Sequence, residues 1–165
     1  MWRVFRQVVV VGGVLISNGV WAAVVDKTFE PRVTIFKGTA GEAIEIVADK
    51  TDFLASYRPS LETFSSLHIP FRVRSVMGVG INYRMSLALS QHVCWVEGAA
   101  QPAPWDGVAL SVDGESFTAT LPVEVLESVV EKSHVLSVDY PKRPQMDELQ
   151  SCYGTIGVVA EMVEL

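Results

Sequence analysis

His68-Ile69-Pro70-Phe71-Arg72-Val73-Arg74 puts Ile69, Phe71 and Val73 on one side of the chain and His68, Pro70, Arg72 and Arg74 on the other. Alternation at period two marks a strand with one buried face and one wet face. The same period recurs on both sides of this stretch. Val33 and Ile35, then Ile44 and Ile46, precede it, and Tyr83, Met85, Leu87 and Leu89 follow. Val108, Leu110 and Val112 repeat it, as do Phe117, Ala119 and Leu121. Residues 135–140 and 156–165 supply the last two strands. Turn-forming residues separate the runs at 38–41, 77–80, Asp113-Gly114 and 141–144. Asp113-Gly114 fits a tight hairpin with positive φ. Residues 122–132 carry Val125, Leu126, Val129 and Val130 at a spacing that suits one short amphipathic helix, with a strand or loop as the alternative. Seven or eight short strands of this kind predict one all-β domain, a β-sandwich with immunoglobulin-like connections.

The N-terminus reads as an export signal. Arg3 and Arg6 are followed by an unbroken apolar run over residues 8–16, then by Ser17, Asn18 and Gly19, and a cleavage site before Ala23. The alternative is a short membrane anchor. Cleavage of residues 1–22 leaves 165 − 22 = 143 residues, enough for one domain with a core. It also removes two of 13 basic residues, so the net charge becomes 11 − 19 = −8. An acidic chain lacks the basic footprint of nucleic-acid binding, and no nucleic-acid partner is expected. Cys94 and Cys152 are the only cysteines. In an exported chain an even count reads as one disulfide, here closing a loop worth about 4 kcal/mol in the chain-entropy model. Two free thiols or a metal pair are the competing readings, but zinc-ligand spacing is missing around both residues.

Few residues suggest catalysis. No Gly-x-Ser-x-Gly or Walker pattern occurs, and Gly78-Val79-Gly80 reads as a turn. His68, His92 and His134 are scattered, without metal-ligand spacing. Asp147-Glu148 follows Pro144 and reads as a solvated loop, and Glu161 and Glu164 fall on opposite faces of the final strand, unlike a converging acid pair. No enzyme activity and no cofactor are expected. Trp95 and Trp105 could stack on a sugar, but two tryptophans near a disulfide read more readily as packing material.

Four segments, in order, resemble the single-domain pilins of the alternate chaperone–usher class, the α-fimbriae of the colonization factor antigen and coli surface antigen type. They are Val25-Asp26-Lys27 with Glu30-Pro31-Arg32-Val33-Thr34-Ile35; Tyr57-Arg58-Pro59 with Phe64; the stretch from Leu110 through Asp113-Gly114 to Thr120; and the ending from Thr155 to Leu165. The resemblance implies an incomplete immunoglobulin-like sandwich that lacks one strand. A periplasmic chaperone would fill the gap first. The N-terminal strand of the next subunit would then replace it, a form of β-strand addition completed at an outer-membrane usher. In that scheme residues 23–30 are the donor strand, with Val25, Lys27 and Phe29 on its inward face, and residues 31–165 are the pilin domain. Ile156, Val158, Ala160 and Met162 would border the acceptor groove. The product would be a cell-surface fimbria that contributes to adhesion, with a host-cell receptor as a further partner. The chain departs from the family in its two cysteines and in the lysine on the donor's inward face, which points toward a minor, initiating or terminating subunit. The rival readings are a stand-alone secreted β-sandwich that binds a ligand, and a sugar-binding fimbrial adhesin using Trp95, Trp105 or Arg72 and Arg74.

Overall fold

The computed structural model describes the backbone of residues 28–35 and the whole of residues 43–164. The expected leader, Val25, Lys27 and the turn at 38–41 lie outside the described residues. The strands are β1 (Thr28–Ile35), β2 (Ile44–Val47), β3 (Ala55–Arg58), β4 (Thr63–Phe64), β5 (Leu67–Ser75), β6 (Ile81–Val96), β7 (Ala103–Pro104), β8 (Ala109–Val112), β9 (Glu115–Ser116), β10 (Val123–Val129), β11 (Glu131–Asp139) and β12 (Gln150–Met162). A single 3-10 turn spans Pro59–Leu61, and the described residues contain no α-helix. The fold is all-β. One sheet runs β10-β6-β12-β1-β3-β4, with β7 also on β6, and the second runs β2-β5-β11-β8-β9.

The two sheets share one core. β5 buries Leu67, Ile69, Phe71 and Val73 and turns the intervening residues outward, as its alternation predicts. Leu110, Val112, Leu136 and Val138 join them from the same sheet, facing Tyr83, Met85, Val123, Val125, Ile156, Val158 and Ala160 of the other. The hairpin at Asp113-Gly114 forms with φ of 53° and 88°, the doubly positive backbone of a tight turn. The turn before β6 also forms, with Gly78 at φ 70°.

Four expectations need correction. Residues 122–132 form β10 and the start of β11 instead of a helix. Val123 and Val125 point into the core, while Leu126 and Val130 are about half exposed, so the β-branched residues follow period two. The pairing with β6 shifts between Val125 and Val129, and Ser128 there has φ 50°. Residues 117–121 are not a strand: β9 ends at Ser116, and Thr118 and Leu121 make one isolated bridge after the buried Phe117. The apparent single face of Tyr83, Met85, Leu87 and Leu89 is broken by a bulge. Gly157 pairs with Leu89 and Val158 with Leu87, so Ala88 is the extra residue. Beyond it the buried positions change phase, from Tyr83 and Met85 to His92 and Cys94. The final strand begins at Gln150, six residues before its expected start at Ile156, and Glu164 lies past its end.

One polar chain runs from the exposed Asp113 carboxylate at a hairpin turn into the core. The Asp113 carboxylate accepts from Val135 N–H at 2.8 Å and from His134 Nδ1–H at 2.6 Å. That fixes the proton of a neutral ring on Nδ1, leaving Nε2 to accept from the Tyr83 hydroxyl at 2.6 Å. Tyr83 and His134 are essentially sealed from solvent and come from opposite sheets. Burial pushes the Tyr83 phenol well above its ordinary range, with Asp113 and Glu127 adding to the shift. Tyr83→Phe leaves His134 Nε2 unsatisfied in the core. The expected loss is about 1–3 kcal/mol of stability, read by urea denaturation.

Candidate functional site

The C-terminal strand β12 is the residue set on which the sequence reading turns. On one side it pairs antiparallel with β6 along its whole length, from Gln150 opposite Val96 to Met162 opposite Tyr83. On the other side it pairs parallel with β1, from Phe29 opposite Cys152 to Ile35 opposite Val158. β1 also meets β3 antiparallel at Thr28–Ser56 and Phe29–Ala55. Of the four residues expected to border a groove, Ile156, Val158 and Ala160 are buried in the core, and Met162 is about half exposed. Ala160 and Met162 lie beyond the last β1 pair. Phe29, one of the expected donor positions, is paired within its own molecule. The edge of β12 that was expected to lie open is therefore covered by the chain's own strand from Cys152 to Val158.

Cys94 and Cys152 stand directly opposite each other on β6 and β12 and are joined by a disulfide. Both are buried. Two register positions on, Gly154 faces His92. A Cβ at Gly154 would come within 2.3 Å of His92 Nδ1, so only glycine admits the ring. His92 is buried, its Nε2 is 3.1 Å from Ser90 Oγ, and its Nδ1 has no hydrogen-bond partner among the described residues. Desolvation lowers its pKa below the ordinary histidine value.

An aromatic group closes this end of the sandwich. Trp105 stacks on Tyr140 with centroids 5.3 Å apart, and Phe64 packs against both. Tyr57 meets the edge of Phe64 and donates its hydroxyl to Arg143 O at 2.8 Å. Thr63 Oγ1 donates toward Tyr140 O at 2.9 Å. The Arg143 guanidinium lies over Trp105 and, with the Gln150 amide turned to present its oxygen, donates to it through Nε and Nη2 at 2.6 Å. Tyr57 and Phe64, which carried part of the family resemblance, thus hold the segment that leads into β12.

Trp105 is interior, so it offers no ring face to a sugar. Trp95 is half-buried and donates to Ala99 O at 3.1 Å. Arg72 and Arg74 are engaged by acids, Arg72 by Asp49 and Glu131 and Arg74 by Glu45. An open cleft of about 550 Å³ lies beside Trp105, lined by Gln91, His92, Pro104, Tyr153 and Thr155 among others. No group of histidine, cysteine and acidic residues among the described residues is arranged to hold a metal ion.

Comparison with known proteins finds likeness among solved structures. No family model and no curated protein matches the chain. Among solved structures, the CooA pilin subunit from enterotoxigenic Escherichia coli is similar with a TM-score of 0.40 and 11% identity, over 71% of this chain and 98% of that one.

Sequence reasoning paired the cysteines as the structure does and placed both tryptophans near them. It missed the His92–Gly154 contact and the Asp113–His134–Tyr83 chain. Glycine at 154 within an apolar-rich strand was the available signal for a close approach.

Replacing both Cys94 and Cys152 by alanine is expected to cost about 2–5 kcal/mol in chemical denaturation. The depressed His92 pKa has a definite sign. As pH falls through 6.5 the unfolded chain takes up this proton before the folded one, so stability drops. Urea denaturation at about pH 7 and pH 5 should show a smaller acid loss in His92→Gln than in the unaltered chain.

Proposed function

We propose that this chain is an exported, non-enzymatic subunit of a bacterial surface fimbria, joined to its neighbours by β-strand addition along β12. The observation that carries the reading is topological. The strand beside the C-terminal β12 is β1, which precedes every other described strand. A strand near the start of a chain can leave its sheet without unthreading the rest. If each copy passes this strand to the next, the contact is head-to-tail, and with a rotation that does not close it makes a fibre.

The ordered resemblance to α-fimbrial pilins supports the same reading, with residues 23–30 as the donor and 31–165 as the body. Residues 28–30, the described part of that donor, open β1. In this scheme β12 contributes Ile156, Val158 and Ala160 to the accepting side. A periplasmic chaperone would protect the edge before assembly, because an unpaired edge next to apolar side chains is prone to aggregate. An outer-membrane usher would export the chain to the cell surface, and adhesion would follow from the fibre and its receptor. The two cysteines and Lys27 favour a minor subunit.

A hydrolase finds little support. The Asp113–His134 pair ends on Tyr83, a sealed phenol held protonated by burial, and not on an accessible nucleophile. The inward position of Trp105 and the paired state of Arg72 and Arg74 speak against a sugar-binding adhesin built on those residues.

Phe29→Asp is expected to abolish fibres when the full chain is exported together with its assembly partners, as read by electron microscopy and sedimentation. Fibres of normal length and yield would overturn the donor assignment.

A further inference from the structure

We propose that the isolated subunit is capped by its own β1, which occupies the place that an incoming strand needs, so that assembly proceeds by displacement rather than by the filling of an open groove. This rests on the strand-exchange reading and adds its regulation.

The two edges of β12 are held very differently. Its β6 edge has thirteen antiparallel pairs and the Cys94–Cys152 crosslink. Its β1 edge has seven parallel pairs, and β1 gains only two antiparallel pairs from β3 on its far side. Parallel pairing is slightly weaker per residue than antiparallel pairing. Pro31, in the middle of β1 opposite Gly154, has no N–H to offer either neighbour. The cap thus pairs the backbone edge of β12 from Cys152 to Val158 and keeps it from unrelated strands, yet it is shorter than the β6 pairing on the opposite edge and parallel where that one is antiparallel. The occupant that replaces it is the N-terminal segment of a second copy, whose sequence is matched to β12 by construction. Displacement makes exchange slow when copies are few and favours it where they are concentrated or delivered in order. A chaperone would then act on β1 as much as on an empty edge.

Arg32 and Thr155 are register partners across β1 and β12, at the spacing of adjacent strands. The full chain carrying Arg32→Cys and Thr155→Cys, exported and purified as a monomer, can be bridged with dibromobimane. The native cysteines are both in the disulfide and offer no free thiol. The probe for exchange is a synthetic peptide of residues 23–35, with uptake followed by native mass spectrometry. The expected result is a bridge within one chain, slow peptide uptake before bridging and none after it. Absence of an intrachain bridge would overturn the cap, whether or not the peptide binds; peptide binding to such unbridged chains would leave strand exchange standing. Equal uptake before and after bridging would overturn the cap as a gate. A bridged chain whose unbridged form never takes up peptide would uphold the internal pairing and sink the strand-exchange reading instead.

Discussion

A strand in the middle of a sheet has two rows of backbone donors and acceptors, and both must be paired. β12 is such a strand. Its inner face is fully committed, with Ile156, Val158 and Ala160 in the core, so it cannot turn away from the sheet to hide an unpaired edge. β6 satisfies one row permanently. Whatever lies along the other row decides whether the molecule is closed, aggregating or joined to a neighbour. In this chain that row is met by β1 between Cys152 and Val158.

The rest of the molecule is built to hold β12 in place. The disulfide ties it to β6. The bulge at Ala88 changes the phase of β6 so that Cys94 and His92 reach the interior beside Cys152 and Gly154. The aromatic group of Phe64, Trp105 and Tyr140, with Arg143 above it, anchors the approach to Gln150. At the facing sheet, Asp113, His134 and Tyr83 connect a hairpin turn, a strand of one sheet and a strand of the other through fully used polar groups. A satisfied polar chain of this kind specifies one packing of the sheets, because any slip would leave a buried histidine or phenol without its partner. All these ties join residues between 57 and 158, and none of them involves β1.

Much of this was legible in the residues themselves. Period two over Ile69, Phe71 and Val73, the Asp113-Gly114 turn and the paired cysteines are signals with simple causes: side-chain alternation on a pleated backbone, positive φ at a two-residue turn, and an even cysteine count. They determined an all-β fold, its hairpins and its crosslink. The short helix expected at residues 122–132 failed because Val125, which joins Leu126, Val129 and Val130 at a helical spacing, also joins Val123 at period two, and only the partner strand β6 chose between them. The bulge in β6, the glycine contact at His92 and the Asp113–His134–Tyr83 chain could not be read in advance, since each joins residues far apart in sequence. The partner of β12's second edge belongs to the same class. Sequence marks β1 as able to pair, through its alternation, but strand pairing is a competition among all edges that tertiary packing brings within reach, and that competition was decided only when the two sheets closed on their common core.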